Sequence, residues 1–194
     1  MADDGMAALE ARYGTPQHIH AVLDRIDVAP FDAPDRVGEV CMVIRRPGGQ
    51  LITARKRYYP PAAFRLLTGG IGHGEPIEHA LLREVDEETG LAVVVRQFLA
   101  RITYAVRTAP EHVCFTTYAW LLDEVGGTLA PRDPAEQIAS YGLVWPAELP
   151  ALATALECAP DAVSDDIRGS WRTWGVFRAV AHRVVHRALT SGGA

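Results

Sequence analysis

The stretch from residue 69 to residue 91, GGIGHGEPIEHALLREVDEETGL, constrains this chain more than any other part of it. Glycines are concentrated in its first six positions, and a pattern with helical spacing follows. Pro76 is predicted to open a helix, Gly90 to end it, and Leu81 and Val85 to anchor it on a sheet. The stretch therefore predicts a glycine-rich loop that leads into a short helix.

Three carboxylates lie close together on this predicted helix. Glu84, Glu87 and Glu88 are three and four residues apart, which places them within an arc of about 100°. Like charges at this spacing destabilise an isolated helix by about 0.2–0.5 kcal/mol per pair, and a bound cation reverses that effect. Mg²⁺ prefers carboxylate oxygens and bridges to substrate phosphates. An acidic helix alone is usually only a solvated helix, so a metal site depends on the rest of the motif.

The glycines are predicted to serve the same chemistry. Gly69 and Gly70 permit backbone angles that other residues resist, so the loop folds tightly against the helix. A pyrophosphate would then lie close to the bound cations. The sequence up to this point indicates a site for divalent metals and a polyphosphate.

The whole motif resembles the Nudix signature. The fixed positions are a glycine, a glutamate after five residues, Arg-Glu after seven more, an aliphatic residue, Glu-Glu one residue later, and a glycine with an aliphatic residue at the end. The resemblance implies an α/β fold, a Nudix-type α/β/α sandwich with a mixed β-sheet, here with helical extensions at both termini. It also implies hydrolysis of a nucleoside diphosphate derivative with Mg²⁺ or Mn²⁺.

The resemblance assigns metal binding to Glu84, Glu87 and Glu88, joined by a carbonyl near Gly69. Members of the family differ in their general base, and Glu87, Glu88 and the later Glu136 are the candidates here. Glu136 begins a stretch that resembles the one ahead of the family's last core strand, where a further glutamate often approaches the metals, so Glu136 is also a candidate for an extra ligand.

The remaining site assignments concern the loop and the segment before it. Arg83 is expected to point away from the metal face and to organise the loop through an ion pair with Glu75. The predicted substrate-binding residues are Gly70, Glu75, Arg65 and Tyr58. Thr68 departs from the proline found here in many Nudix proteins, which predicts a different entry to the loop because threonine disfavours positive φ.

Alternatives remain open both for the substrate and for the class of function. Nucleoside triphosphates, nucleotide sugars, ADP-ribose and dinucleoside polyphosphates remain open as substrates. A Nudix-fold module that senses a nucleotide without cutting it is one rival, although intact glutamates argue against it. An enzyme of the isopentenyl diphosphate isomerase type, which shares the fold, is the other.

Composition sets the broader expectations. The net charge of −5 argues against a nucleic-acid-binding protein, so the expected partner is a small molecule. The three cysteines are odd in number and form no Cys-x-x-Cys pair, which argues against a disulfide framework or a zinc site. No signal sequence and no apolar run of about 18 residues is visible, so a cytoplasmic protein without a membrane span is expected.

The chain divides into three predicted parts: an N-terminal helical extension with a linker (1–36), the core (37–150) and a C-terminal helical extension of the same domain (151–194). Thr15-Pro16 is predicted to begin a short helix that carries Ile19, Val22, Leu23 and Ile26. The linker is Ala29 to Asp35. Strands are predicted at residues 39–44, 51–55, 64–67, 91–104, 113–122 and 141–145.

The second extension is predicted to form a long helix from Ser170 to Leu189. Its apolar stripe lies beside several arginines and no acidic residue. Such a helix suits three roles, namely covering the active site, binding an anion or forming the interface of a homodimer. The stripe consists of Trp174, Phe177, Val180, Ala181, Val184 and Ala188.

Overall fold

The computed structural model describes residues 2–25 and 36–191. Four helices and nine strands are assigned in these ranges, together with short 3₁₀ helices at Pro134–Glu136 and Pro146–Glu148. The helices are α1 (Ala2–Tyr13), α2 (Ile77–Thr89), α3 (Leu149–Glu157) and α4 (Trp171–Ser191). The strands are β1 (Gln17–Leu23), β2 (Arg36–Arg45), β3 (Leu51–Lys56), β4 (Arg65–Gly72), β5 (Leu91–Val106), β6 (Phe115–Gly127), β7 (Ile138–Val144), β8 (Val163–Ser164) and β9 (Gly169–Ser170).

Seven strands form one mixed sheet in the order β1-β5-β6-β2-β4-β3-β7. Strand β1 runs parallel to β5 and β2 runs parallel to β6, while the other neighbours are antiparallel. Strands β8 and β9 form a separate hairpin. The predicted mixed sheet is confirmed.

The side chains of β2 point alternately to the two faces of the sheet, which shows why helices cover both faces. Side chains at successive strand positions point to opposite faces. Val40 and Met42 pack in the cluster that contains Leu81 of α2. Cys41 packs in the cluster that contains Phe177 of α4. A strand buried on both faces is nearly all apolar, as this one is, and the result is the expected α/β/α sandwich.

The prediction for the N-terminal segment was wrong. Residues 17–23 form the edge strand β1, paired with β5, and the helix lies earlier, at Ala2–Tyr13. The exposure of β1 alternates along the strand, which is the period of two expected for an edge strand. Ile26 and the predicted linker from Ala29 to Asp35 lie outside the described residues. The first extension is therefore only partly helical.

The motif itself begins with a strand, contrary to the prediction of a loop. Residues Gly69 to Gly72 belong to β4, and Gly69 and Gly70 pair with Val40 and Glu39 of β2. The predicted helix is present as α2. Pro76 is its N-cap, and Gly90 ends it with a φ of 63°, a left-handed conformation that suits glycine.

The predicted C-terminal helix is present as α4, and it covers the face of the sheet opposite α2. A buried histidine fastens it to β4. The Leu66 N–H donates to His182 Nε2 at 2.9 Å, and His182 Nδ1 lies 2.8 Å from the Arg178 carbonyl oxygen. These two hydrogen bonds require the neutral ring of His182, which accepts at Nε2 and donates at Nδ1. Within the described ranges, no helix is both long and apolar enough to cross a membrane.

Stability is expected to fall as the pH drops from about 6.5 to about 4, because of His182. Burial lowers the pKa of His182 to about 4, so the unfolded chain binds the proton first. The stabilisation by neutral His182 is complete above the pKa that the residue has in the unfolded chain. It is lost as the pH falls through the pKa that the residue has in the folded protein. The loss is at most about 3 kcal/mol. Urea unfolding of wild type and His182→Gln at several pH values measures it. The variant should show a smaller loss, whereas His73→Gln, at an exposed position, should match wild type.

Candidate functional site

Helix α2 holds its carboxylates in place through its buried apolar face. Leu81 and Val85 are almost fully buried against the sheet. This packing fixes the rotation of the helix, so Glu84 is buried against β4 and Glu87 is half-buried at the rim. The sequence prediction of an anchored acidic helix therefore agrees with the structure.

Three carboxylates from two parts of the chain converge at this point. Oxygens of Glu84, Glu87 and Glu136 all lie within 4.8 Å of one another. Glu136 comes from the short 3₁₀ helix before β7, where Asp133 caps the turn by accepting from the Ala135 N–H. The predicted approach of Glu136 to the motif is present, while its chemical role stays a prediction.

Glu88 occupies a different position from the one that helical spacing predicted. It is almost fully buried, and its closest ion-pair partner is Lys56, at 3.6 Å. As a carboxylate, Glu88 accepts no hydrogen bond at either oxygen, whereas its protonated form can donate one to Glu136. Burial raises the pKa of Glu88 to about 7, partly offset by the charges of Arg65 and Lys56.

Lys56 links the buried Glu88 to Glu136, which belongs to the cluster of three carboxylates. It contacts Glu88 and donates a hydrogen bond of 2.8 Å to Glu136. Burial would raise the pKa of Glu136, but the charge and hydrogen bond of Lys56, together with a hydrogen bond from Glu88 and the charge of Arg65, outweigh it and lower that pKa. Glu136 is consequently ionised at neutral pH.

Arg83 makes the predicted ion pair with Glu75, but the prediction that it points away from the metal face was wrong. Its Nε donates to Glu75 at 2.8 Å, and its Nη1 donates to Glu84 at 2.9 Å and Glu87 at 2.8 Å. Its Nη2 also donates to the Gly70 carbonyl oxygen at 2.9 Å. One guanidinium therefore holds two candidate metal ligands and the strand beside them.

Glu75 organises this network. It accepts from the Gly72 N–H at 3.0 Å as well as from Arg83, and the Arg83 hydrogen bond lowers the pKa of Glu75. These bonds occupy the carboxylate, so its contacts favour an organising role over the predicted contact with substrate.

Gly69 has a steric role that the structure explains. A Cβ built at this position would overlap the carboxylate end of Glu84. The backbone needs no positive φ here, because Gly69 is not among the described residues that adopt one. Close approach of Glu84, and not loop flexibility, is what requires glycine.

A pocket of about 260 Å³ opens beside the carboxylates and contains the other predicted substrate residues. Arg65 is buried and donates to Tyr59 Oη, the Leu66 carbonyl oxygen and Thr68 Oγ1. Tyr58 and Gly70 also line the pocket. The structure thus brings these three residues together around one cavity.

Sequence reasoning assigned no place in this pocket to Thr68, Arg178 or Lys56, which all line it. Thr68 lies in β4 without a positive φ and accepts hydrogen bonds from Arg65 and Arg178. Arg178 is four residues after Trp174, on the edge of the apolar stripe of α4, and this position could have signalled a buried charge. Lys56 carried no such signal, since it only ends a short strand.

The donor set suits a divalent cation. Three carboxylates share a space of 4.8 Å, and the buried carboxylate of Glu88 is linked to one of them, Glu136, by Lys56, which contacts both. Hard cations such as Mg²⁺ and Mn²⁺ take oxygen ligands of this kind. The fold and the site together define an α/β protein with an acidic cluster beside a basic pocket.

Comparison with known proteins gives the family. The NUDIX domain model matches residues 35–163, which is more than half of the chain. The chain belongs to the Nudix family. In fold, it is similar to the crystal structure of a MutT protein from Methanosarcina mazei, with a TM-score of 0.52 and 15% identity over 81% of this chain and 96% of the other.

Three named relatives share part of the sequence. An ADP-ribose pyrophosphatase from Methanocaldococcus jannaschii is 32% identical over 52% of this chain and 59% of its own length. An RNA pyrophosphohydrolase from Erythrobacter litoralis is 31% identical over 46% and 63%. The human NAD-capped RNA hydrolase NUDT12 is 39% identical over 31% and 13%. The chain therefore matches less than two thirds of the length of each.

Proposed function

We propose that this protein hydrolyses the phosphoanhydride bond of a small nucleoside diphosphate derivative with the help of Mg²⁺ or Mn²⁺. The observation that carries the proposal is the convergence of Glu84, Glu87 and Glu136 at the edge of a pocket lined by cationic side chains. Membership of the Nudix family supports it, as do relatives named for pyrophosphate hydrolysis.

Each residue of the site has a part in this proposal. Glu84, Glu87 and Glu88, with the Gly69 carbonyl, would hold the cation, which when bound neutralises phosphoryl charge and lowers the pKa of a water. Glu136 is ionised and lies in the same cluster, so it would either add a ligand to the cation or accept the proton of the attacking water.

The other residues position these groups. Arg83 and Glu75 fix the carboxylates, while Arg65, Tyr58 and Gly70 would contact the substrate from the pocket. Buried Arg65 offers a fixed guanidinium, which suits a phosphate oxygen.

A screen of substrates tests the class of reaction. Nucleoside triphosphates, nucleotide sugars, ADP-ribose, dinucleoside polyphosphates and RNA with a 5′ triphosphate are each incubated with Mg²⁺ or Mn²⁺, and the products are separated. Cleavage that stops with a chelator and returns with the cation is the expected result. A reaction that rearranges the substrate without releasing a phosphate-containing product would instead identify an isomerase.

Cleavage in the screen separates an enzyme from a nucleotide sensor, and Glu87→Gln then tests whether that cleavage depends on the acidic cluster. The amide keeps the size and one oxygen of the carboxylate but loses its charge, so turnover on the substrate found by the screen should fall about tenfold. The circular dichroism spectrum should be unchanged. Glu78→Gln, on the same helix but bonded to α1 through Arg12 and Tyr13, is the matched control and should retain turnover. Equal turnover of Glu87→Gln and wild type would refute the metal-ligand role.

A further inference from the structure

The C-terminal part of the chain supplies one wall of the pocket. The turn of the β8–β9 hairpin contributes Ile167 and Arg168, and α4 contributes Trp174 and Arg178. This wall and the carboxylates Glu84 and Glu136 line the same cavity. The pocket is incomplete without the two C-terminal elements.

Cationic side chains outnumber carboxylates in the lining of the pocket. Arg36, Lys56, Arg65, Arg168 and Arg178 line it, against the carboxylates of Glu84, Glu136 and Asp166. Lys56 already pairs with Glu88 and Glu136. The arginines therefore form a second group of charges, which we call the arginine group (Arg36, Arg65, Arg168 and Arg178).

Two buried members of the arginine group have unused capacity. Arg178 is 7% exposed, and its Nη1 binds Glu39, yet its buried Nε has no hydrogen-bond partner. Arg65 is 3% exposed, and its hydrogen bonds go to neutral oxygens. Across residues 5–25 and 36–191, no ion pair joins Arg65 to a carboxylate. A buried guanidinium without a carboxylate partner, such as that of Arg65, is costly, and an anion would relieve that cost.

Arg168 is held in an unusual backbone conformation at the pocket edge. Its φ is 49°, and its N–H donates to the Asp165 carbonyl oxygen at 3.1 Å in the hairpin turn. A side chain other than glycine pays a steric cost in this region, and such conformations cluster at ligand sites. The turn thereby places the exposed residue Arg168 on the pocket wall.

We propose that the arginine group binds a phosphate that is not attacked, so the substrate carries a chain of three or more phosphates. This inference rests on the proposed function, since the acidic cluster would hold the phosphates on either side of the bond that breaks. A nucleoside triphosphate or a dinucleoside polyphosphate meets the requirement. ADP-ribose and nucleotide sugars have only two phosphates, and would place an uncharged sugar against the guanidinium groups.

Binding of inorganic tripolyphosphate, measured by calorimetry with a chelator present, tests the arginine group apart from catalysis. Arg168→Asn removes the charge and keeps a residue that tolerates positive φ. It should weaken binding about tenfold, the value of one lost charge-assisted hydrogen bond. Arg172→Asn is the matched control, because Arg172 is exposed on α4 and lines a different surface groove. It should bind as wild type does.

Two results would overturn the inference: Arg168→Asn binding as tightly as wild type, or Arg172→Asn losing as much affinity. Turnover gives a second readout, because Arg168→Asn should lower kcat/KM for a nucleoside triphosphate more than for ADP-ribose. Equal losses on both substrates would also overturn it. Wild type that binds tripolyphosphate but hydrolyses no compound of the screen would refute the proposed function and leave the arginine group as a binding site.

Discussion

Gly69→Ala is expected to lower kcat/KM about 100-fold on the substrate that the screen identifies, with the fold retained. A Cβ at this position would overlap the carboxylate end of Glu84. The strand cannot move away easily, because Gly69 pairs with Val40 in the centre of the sheet. Glu84 must therefore move, and a displacement of about 1 Å in a catalytic group is enough for a loss of this size.

Gly72→Ala is the control for this prediction. Gly72 lies in the same strand and has no positive φ, and a Cβ there would make only an ordinary contact of 3.7 Å with Glu75 Oε2. Its kcat/KM should stay close to that of wild type. Steady-state kinetics at saturating Mg²⁺ and thermal unfolding of both variants are the measurements. If Gly69→Ala keeps full activity, the close approach of Glu84 has no role in the reaction.

The motif was the part of the site that sequence could predict, because its chemistry depends on residues near one another in the chain. Helical spacing alone placed Glu84 and Glu87 on one face of the helix. The glycine at position 90 indicated where the helix ends. Spacing did not predict the environment of each carboxylate. Glu88 is buried beside Lys56, which comes from β3, and only the folded sheet brings these two residues together.

The errors in the fold have the same origin. Ile19, Val22 and Leu23 have helical spacing, yet β1 forms because the edge of β5 offers it a hydrogen-bonded partner along its whole length. A short apolar pattern fits both periods, and tertiary pairing decides between them. Gly69 and Gly70 were predicted to be loop because they are glycines, but pairing with β2 makes them strand.

The C-terminal helix and the Nudix motif are connected through β4. His182 accepts from the Leu66 N–H, and Arg178 donates to Thr68 Oγ1, in the residue before Gly69. Helix α4 thus holds the strand that supports Glu84. This connection explains why a segment beyond the motif can determine the shape of the pocket, and why the sequence of α4 gave several possible roles and no single one.

Arg178→Met is expected to destabilise the protein by about 3–5 kcal/mol, the typical effect of leaving one member of a buried ion pair without its partner. Arg178 Nη1 lies 2.8 Å from Glu39 Oε2 and 2.9 Å from its Oε1, and both residues are almost fully buried. Thr117 Oγ1, at 2.9 Å, would be the main remaining donor to Glu39. Urea unfolding at neutral pH measures the change in the free energy of unfolding.

The double variant Glu39→Met/Arg178→Met decides whether the lost stability reflects an unpaired charge or lost packing. Removing both charges leaves no ion without a partner, so the double variant should be more stable than Arg178→Met alone. Arg183→Met is the control on the same helix, because its pair with Glu157 is partly exposed and should contribute no more than about 1 kcal/mol. A double variant as unstable as Arg178→Met would show that packing of the arginine side chain, and not its charge, joins α4 to the sheet.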